Sequence, residues 1–223
     1  MNLVVFDIDD TLTKSERQHQ SSFVKAMKDF GIIEIDTNWK SYQHHTDSFI
    51  LKENFERNLN TSFNFSFMDE FESCMYDHIS KLHPVSEIAD AKRILTAFSK
   101  NSNYVVAFAT GSLLKPALLK LHQIELDFDE TLVIGSNSIF DREGIVSQAI
   151  ENAKQFYGIN SFEHIISVGD GIWDLKTARN LGLHFMRIGL KNDDDFQKEN
   201  IKYHIKDWTE FQLSKFEQVF MNS

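Results

Sequence analysis

The sequence predicts an α/β protein, a parallel sheet flanked by helices and interrupted after its first strand by an all-helical insert. Short apolar, β-branched runs recur at residues 3–8, 104–109, 131–134, 164–168 and 184–188. They are nearly continuous rather than alternating, as in strands buried on both faces of a parallel sheet. Helical patterns separate them at residues 85–100, 113–123, 145–157 and 173–181, and this alternation implies right-handed crossovers. Glycine is also unevenly spread. Eight of the nine lie at or after Gly111, so the first 110 residues hold only Gly31 and Pro84 as strong breakers.

The first strand is followed by a breaker-poor stretch from Thr13 to about Pro84. Residues 15–30 place Phe23, Met27 and Phe30 at three- and four-residue steps, and Gly31 is a helix stop. Residues 38–59 and 68–82 predict two further helices, joined by the polar, Phe-rich NTSFNFSF. The eight Phe between Phe23 and Phe71 are expected to form the core of this insert. The expected division is 1–12 with 85–223 for the α/β core and 13–84 for the helical insert. Residues 192–195 read as a short acidic loop. No internal repeat or low-complexity tract is present.

Composition narrows the function. The chain has 223 residues, 33 acidic and 23 basic side chains, and a net charge of -10. That surplus repels phosphate backbones, and no Lys/Arg cluster offsets it, so nucleic acid is not an expected partner. The one cysteine, Cys74, excludes an internal disulfide and any multi-cysteine metal site. The first residues turn acidic after four apolar positions, unlike a signal peptide, and no apolar run approaches the roughly 20 residues of a membrane span. A cytoplasmic setting without a membrane partner is expected. The oligomeric state has no signature.

In open parallel sheets ligands bind beyond the carboxyl ends of the strands. The first strand is followed by Asp7-Ile8-Asp9-Asp10-Thr11-Leu12, the second by Thr110-Gly111-Ser112, and the fourth by Gly169-Asp170-Gly171-Ile172-Trp173-Asp174. Any one of these arises readily by chance among eighteen Asp; together, each after a buried-type strand, they are specific. The set resembles the motifs of the haloacid dehalogenase (HAD) superfamily: DxDxT, a Thr or Ser, and a GDxxxD acidic pair. The resemblance spans the whole chain, with the helical insert in the position of that superfamily's cap of the first type and the core in the position of its Rossmann-like sheet.

The resemblance implies a Mg²⁺-dependent phosphohydrolase acting on a small phosphorylated metabolite. Asp7 would be the nucleophile that forms an aspartyl-phosphate, and Asp9 the general acid and then base. Asp7, the Asp9 carbonyl, Asp170 and Asp174 would surround the metal. Thr110, Gly111 and Ser112 would bind the phosphoryl oxygens. Asp9 also argues against dehalogenation, whose halide leaving group needs no proton. The family's third motif supplies a Lys, and here the matching stretch is Ser138–Gly144, with Arg142 in that place and no Lys. Arg142 and Lys115, which precedes Pro116, are the two candidates for this basic role.

Asp10 is expected to cap the segment that follows it, and Trp173 to pack in the core. Substrate contacts are sought in Lys14, Ser15 and His19 beyond the first motif and in the polar cluster His44, His45 and Asp47. A phosphosugar mutase, a phosphonate hydrolase using Lys40 or Lys52, and a degenerate phosphoryl-binding protein remain as alternatives.

Overall fold

The structure, a computed structural model, describes residues 1–191 and 193–221. Its strands and helices, in chain order, are β1 (Asn2–Phe6), β2 (Thr13–Lys14), α1 (Glu16–Asp29), α2 (Asp47–Leu59), α3 (Met68–Ser80), β3 (Ser86–Glu87), α4 (Ala91–Ser99), β4 (Tyr104–Ala109), α5 (Leu114–Gln123), β5 (Val133–Ile134), α6 (Arg142–Tyr157), β6 (Ile165–Gly169), α7 (Ile172–Asn180), β7 (His184–Ile188), α8 (Asp193–Phe196), β8 (His204–Ile205) and α9 (Leu213–Met221). Six strands form one parallel sheet in the order β5-β4-β1-β6-β7-β8. The core is therefore the expected Rossmann-like α/β sheet.

β1 is central because both its faces are apolar. Leu3, Val4 and Phe6 are fully buried, each contributing about 1.5–3 kcal/mol relative to exposure. Phe6 meets the rings of Phe98 at 5.9 Å and Trp208 at 5.7 Å, drawing α4 and the C-terminal segment onto the sheet. Phe6 also pairs in register with Phe108 of β4 and Val168 of β6. The residues that follow these three strands, Asp7, Thr110 and Asp170, thus emerge together at the carboxyl edge, where the strand order switches direction.

Helices α1, α2 and α3 bury a separate apolar cluster that includes Phe23, Met27, Leu51, Phe71 and Met75. The chain enters and leaves this unit through a two-stranded antiparallel ribbon of β2 and β3. Gly31, at φ +77, ends α1 as expected. Phe23, Phe30, Phe55, Phe63, Phe67 and Phe71 belong to the cluster; Phe65 instead stacks on Phe140 of the core, and Phe49 lies edge-on to Phe140.

Several expected boundaries move. The helix expected over 38–59 breaks into a 3-10 turn at Trp39–Ser41 and α2, because Thr46 is extended and accepts the Phe49 N–H as an N-cap. The helix expected over 85–100 gives its start to β3. A 3-10 turn at Glu130–Leu132 shortens the run at 131–134 to β5. The acidic stretch at 192–195 was expected to be a loop, yet Asp193–Phe196 is one helical turn; Asn192 lies outside the described residues. Among the described residues no helix is long and apolar enough to cross a membrane.

Candidate active site

A pocket lies between the sheet's carboxyl edge and the helical unit. It is lined by Asp7, Asp9 and Asp10 after β1, by Thr110, Gly111 and Ser112 after β4, by Arg142 and Asp170, and by α1 and α2. Asp174 stands just behind, at the third position of α7, where it accepts the Gly171 N–H at 3.1 Å. Close approaches here require glycine. A Cβ on Gly111 would meet the His45 carbonyl at 2.5 Å, and one on Gly169 would meet the Asp174 carboxylate at 2.2 Å.

Asp7, Asp170 and Asp174 are all buried, with a carboxylate oxygen from each within 4.8 Å of the others. Arg142, the first residue of α6, is the cation among them. Asp141 caps that helix by accepting the Gly144 N–H at 2.7 Å, which aims Arg142 inward. Its Nη2 donates to Asp7 Oδ1 at 3.1 Å and to Asp174 Oδ1. Thr11 donates to the other Asp7 oxygen at 3.1 Å. Three buried acids share one guanidinium. Burial and the Asp174 charge push the Asp7 carboxyl up to about 7 despite Arg142, and burial with Asp7 pushes Asp170 well above its ordinary value. A set of converging carboxylate oxygens with excess negative charge fits a hard divalent cation such as Mg²⁺.

Asp9 lives in the opposite environment. Lys120, fully buried on α5, donates to both its oxygens at 2.6 and 2.7 Å. Ser15 and Ser112 donate to the same carboxylate at 2.5 and 2.8 Å. Burial alone would raise Asp9, but Lys120, His19 and these hydrogen bonds hold it well below the ordinary carboxylate range. The network continues into the helical unit. His19 Nδ1 lies 3.1 Å from Lys120 Nζ, and His19 Nε2 lies 2.8 Å from Asp47 Oδ1. Asp47 in turn accepts the Leu113 N–H at 2.9 Å, while its own N–H donates to the Gly111 carbonyl at 2.8 Å. α2 is further latched to the core by Thr46 and Ser48, whose hydroxyls donate to the Phe140 and Ile139 carbonyls at 2.6 and 2.8 Å.

The residues singled out in the sequence divide cleanly. Asp7, Asp9, Thr110, Gly111, Ser112, Arg142, Asp170, His19 and His45 line the pocket. Lys115 does not: it is exposed, and its Nζ donates to Ser73 at 2.9 Å beside Glu72. Of the two basic candidates, the structure brings Arg142 to the carboxylates and leaves Lys115 out. Lys14 is exposed on the β2–β3 ribbon, and His44 packs on Phe49 away from the pocket. Lys40 pairs with Asp195 at 2.7 Å and Lys52 with Glu53 and Glu56, so neither lines the pocket. Asp10 caps as expected: its Oδ1 accepts the Ser15 and Glu16 N–H groups. Trp173 is not core. It is half-buried at the pocket wall, stacked on His45 with ring centroids 3.8 Å apart. Burial and nearby Arg142 push His45 down to about 4, so its ring is neutral near pH 7.

Lys120 is the residue the sequence reading missed, and it left a signal. It falls on the apolar stripe of α5 formed with Leu113, Ala117, Leu121 and Ile124, where a charge is stable only with a buried partner.

A family model of haloacid dehalogenase-like hydrolases matches residues 1–182. No curated protein matches the chain. Among solved structures, a HAD hydrolase, family IA, variant 3, from Entamoeba histolytica superimposes with a TM-score of 0.72 at 18% identity, covering 98% of this chain and 99% of that one. A hydrolase from Pseudomonas syringae gives 0.67 at 16% identity, over 98% and 99%. CbbY from Rhodobacter sphaeroides, in complex with phosphate, gives 0.68 at 14% identity, over 96% and 98%; a mutant of it is also known with xylulose-(1,5)bisphosphate. Motifs, fold and family match agree, and the chain belongs to the haloacid dehalogenase-like hydrolases.

Proposed function

We propose that the protein is a Mg²⁺-dependent phosphohydrolase that cleaves a small phosphate monoester through an aspartyl-phosphate on Asp7, with residues 13–84 acting as a cap over the 1–12 and 85–223 core. The observation that carries this reading is the buried group of Asp7, Asp170 and Asp174 around Arg142, set beside Thr110 at the switch point of a parallel sheet.

Asp7 attacks phosphorus, an Asp7 Oδ–P bond forms, and the ester P–O bond breaks with its electron pair leaving on the alcohol oxygen. Arg142 orients the attacking carboxylate through Oδ1, and Thr11 holds Oδ2. The Thr110 hydroxyl and the Gly111 N–H donate to the transferring phosphoryl oxygens, while the Thr110 N–H is bonded to the Ile134 carbonyl and the Ser112 N–H to Thr110 Oγ1. Asp9, bonded on both oxygens to the Lys120 ammonium, passes a proton from that ammonium to the leaving alkoxide; in the second step it takes a proton from water, which attacks phosphorus and breaks the Asp7 Oδ–P bond. α1 and α2, latched through Asp47, Thr46 and Ser48, exclude bulk water. When bound, Mg²⁺ held by Asp7, the Asp9 carbonyl, Asp170 and Asp174 neutralises the phosphate and the carboxylates around it.

The test is hydrolysis of p-nitrophenyl phosphate with Mg²⁺. The wild type is expected to turn it over, and Asp7→Asn to lose at least about 10³-fold in kcat. An unchanged rate in that variant overturns the nucleophile assignment.

A further inference from the structure

Beyond the reacting centre, the wall that would face the leaving group is built from Phe23, Trp39, Ile50 and the stacked His45–Trp173 pair, with Gln20 beside them. The charged groups that line it are already engaged. Glu16 and Asp10 are paired with Lys191 at the rim. Asp47 is held by His19 and the Leu113 N–H. Arg142, the one Lys or Arg among the described lining residues, is spent on Asp7 and Asp174. Gln20 is half-buried, and its side chain makes no hydrogen bond within the described structure. This leaves the Gln20 amide, the neutral His45 ring and the indole N–H groups of Trp39 and Trp173 to meet polar groups on the leaving group.

Resting on the hydrolase reading above, we propose that the pocket selects a phosphate monoester whose leaving group is small, uncharged and apolar or aromatic, and has no place for a second phosphate. Sugar hydroxyls set against Phe23, Trp39 and Ile50 lose their water partners, and the few polar side-chain groups on that wall do not replace them all. A second phosphoryl group on that side finds no uncommitted cation, since Lys191 at the rim is paired with Asp10 and Glu16 and Arg142 with Asp7 and Asp174. A mutase working through a bisphosphate must present either phosphate to the nucleophile, so it needs two anion positions. This wall supplies none, which separates the chain from a neighbour whose mutant holds a sugar bisphosphate. An aromatic or aliphatic leaving group gains burial against Trp39 and Phe23.

Calorimetric titration of the wild-type protein with Mg²⁺ tests the selection without turnover, using benzylphosphonate and the methylene phosphonate analogues of glucose 6-phosphate and glucose 1,6-bisphosphate. Benzylphosphonate is expected to bind at least about tenfold more tightly than either sugar analogue. In Trp39→Ala that preference should shrink to about threefold or less. Tighter binding of either sugar analogue, no binding of benzylphosphonate, or an undiminished preference in Trp39→Ala overturns the proposal. Preferential benzylphosphonate binding by a protein that fails to hydrolyse p-nitrophenyl phosphate supports the pocket's selectivity and refutes the hydrolase reading alone.

Discussion

Asp7 and Asp9 stand two residues apart and both face one pocket, yet they occupy opposite electrostatic settings. Asp7 shares one guanidinium with two other buried acids and is driven up to about 7, whereas Asp9 has a buried ammonium on both oxygens and is driven down. The geometry of the strand end brings them together; their neighbours on other elements set them apart. Asp7 is short of positive charge, the condition that invites a divalent ion. Asp9 is already neutralised by the protein itself. Two carboxylates with different surroundings can take different roles within one reaction.

The contrast is broken most severely at Lys120. Lys120→Met leaves the part-buried Asp9 carboxylate without its cation, and urea unfolding should show a loss of about 3 kcal/mol. Adding Asp9→Asn to the same chain removes the stranded charge and should recover a large part of that loss. If Lys120→Met is as stable as the wild type, Lys120 is not the counter-charge described here.

A smaller effect is expected at the latch. Asp47→Ala strips His19 of its carboxylate partner and leaves the Leu113 N–H unpaired, at a cost of about 1–3 kcal/mol by urea unfolding. The variant should also raise KM more than it lowers kcat, since it loosens α2 from the core and leaves Asp7 and Arg142 in place. An unaltered KM would mean that Asp47 does not hold the helical unit over the pocket.

The smallest effect is expected at Lys115. Exposed and outside the pocket, it should tolerate Lys115→Ala within about 0.5 kcal/mol and without a change in kcat/KM. A loss of activity there would return the third-motif role to Lys115 and weaken the assignment to Arg142.

The sheet was legible because its strands are continuous apolar runs. The carboxylate cluster was legible because its members directly follow those runs. Spacing favours Arg142 over Lys115, whose Lys-Pro pair lies too close to the second motif; what spacing does not show is the Asp141 cap on α6 that turns the guanidinium inward. The break before α2 was hidden because helical periodicity persists through 38–59, while the Thr46 cap and its bond to Phe140 depend on a residue 94 positions away. Trp173 was misplaced for a similar reason: a bulky aromatic beside GDG reads as core until His45, from the other unit, is seen stacked on it. Lys120 was the most informative omission. Its place on the apolar stripe of α5 was visible, but its partner was set by a contact spanning 111 positions.

The central claim is that the Asp7 group lacks positive charge while the Asp9 group does not, and the melting temperature with and without Mg²⁺ at about pH 5.5 and about pH 8 tests it most directly. Folding raises Asp7 and Asp170 above their ordinary value of 3.8, so the folded state binds more protons and metal-free stability falls as pH rises from about 4 through about 7. Asp9 acts in the other direction and at lower pH: its stabilisation is complete above its ordinary 3.8 and is lost only as pH falls below that value. The metal-free melting temperature is therefore expected to be lower at about pH 8 than at about pH 5.5. The Mg²⁺-induced rise is expected to be clearly larger at about pH 8. A Mg²⁺ effect that is absent, or equal at the two pH values, would contradict the central claim.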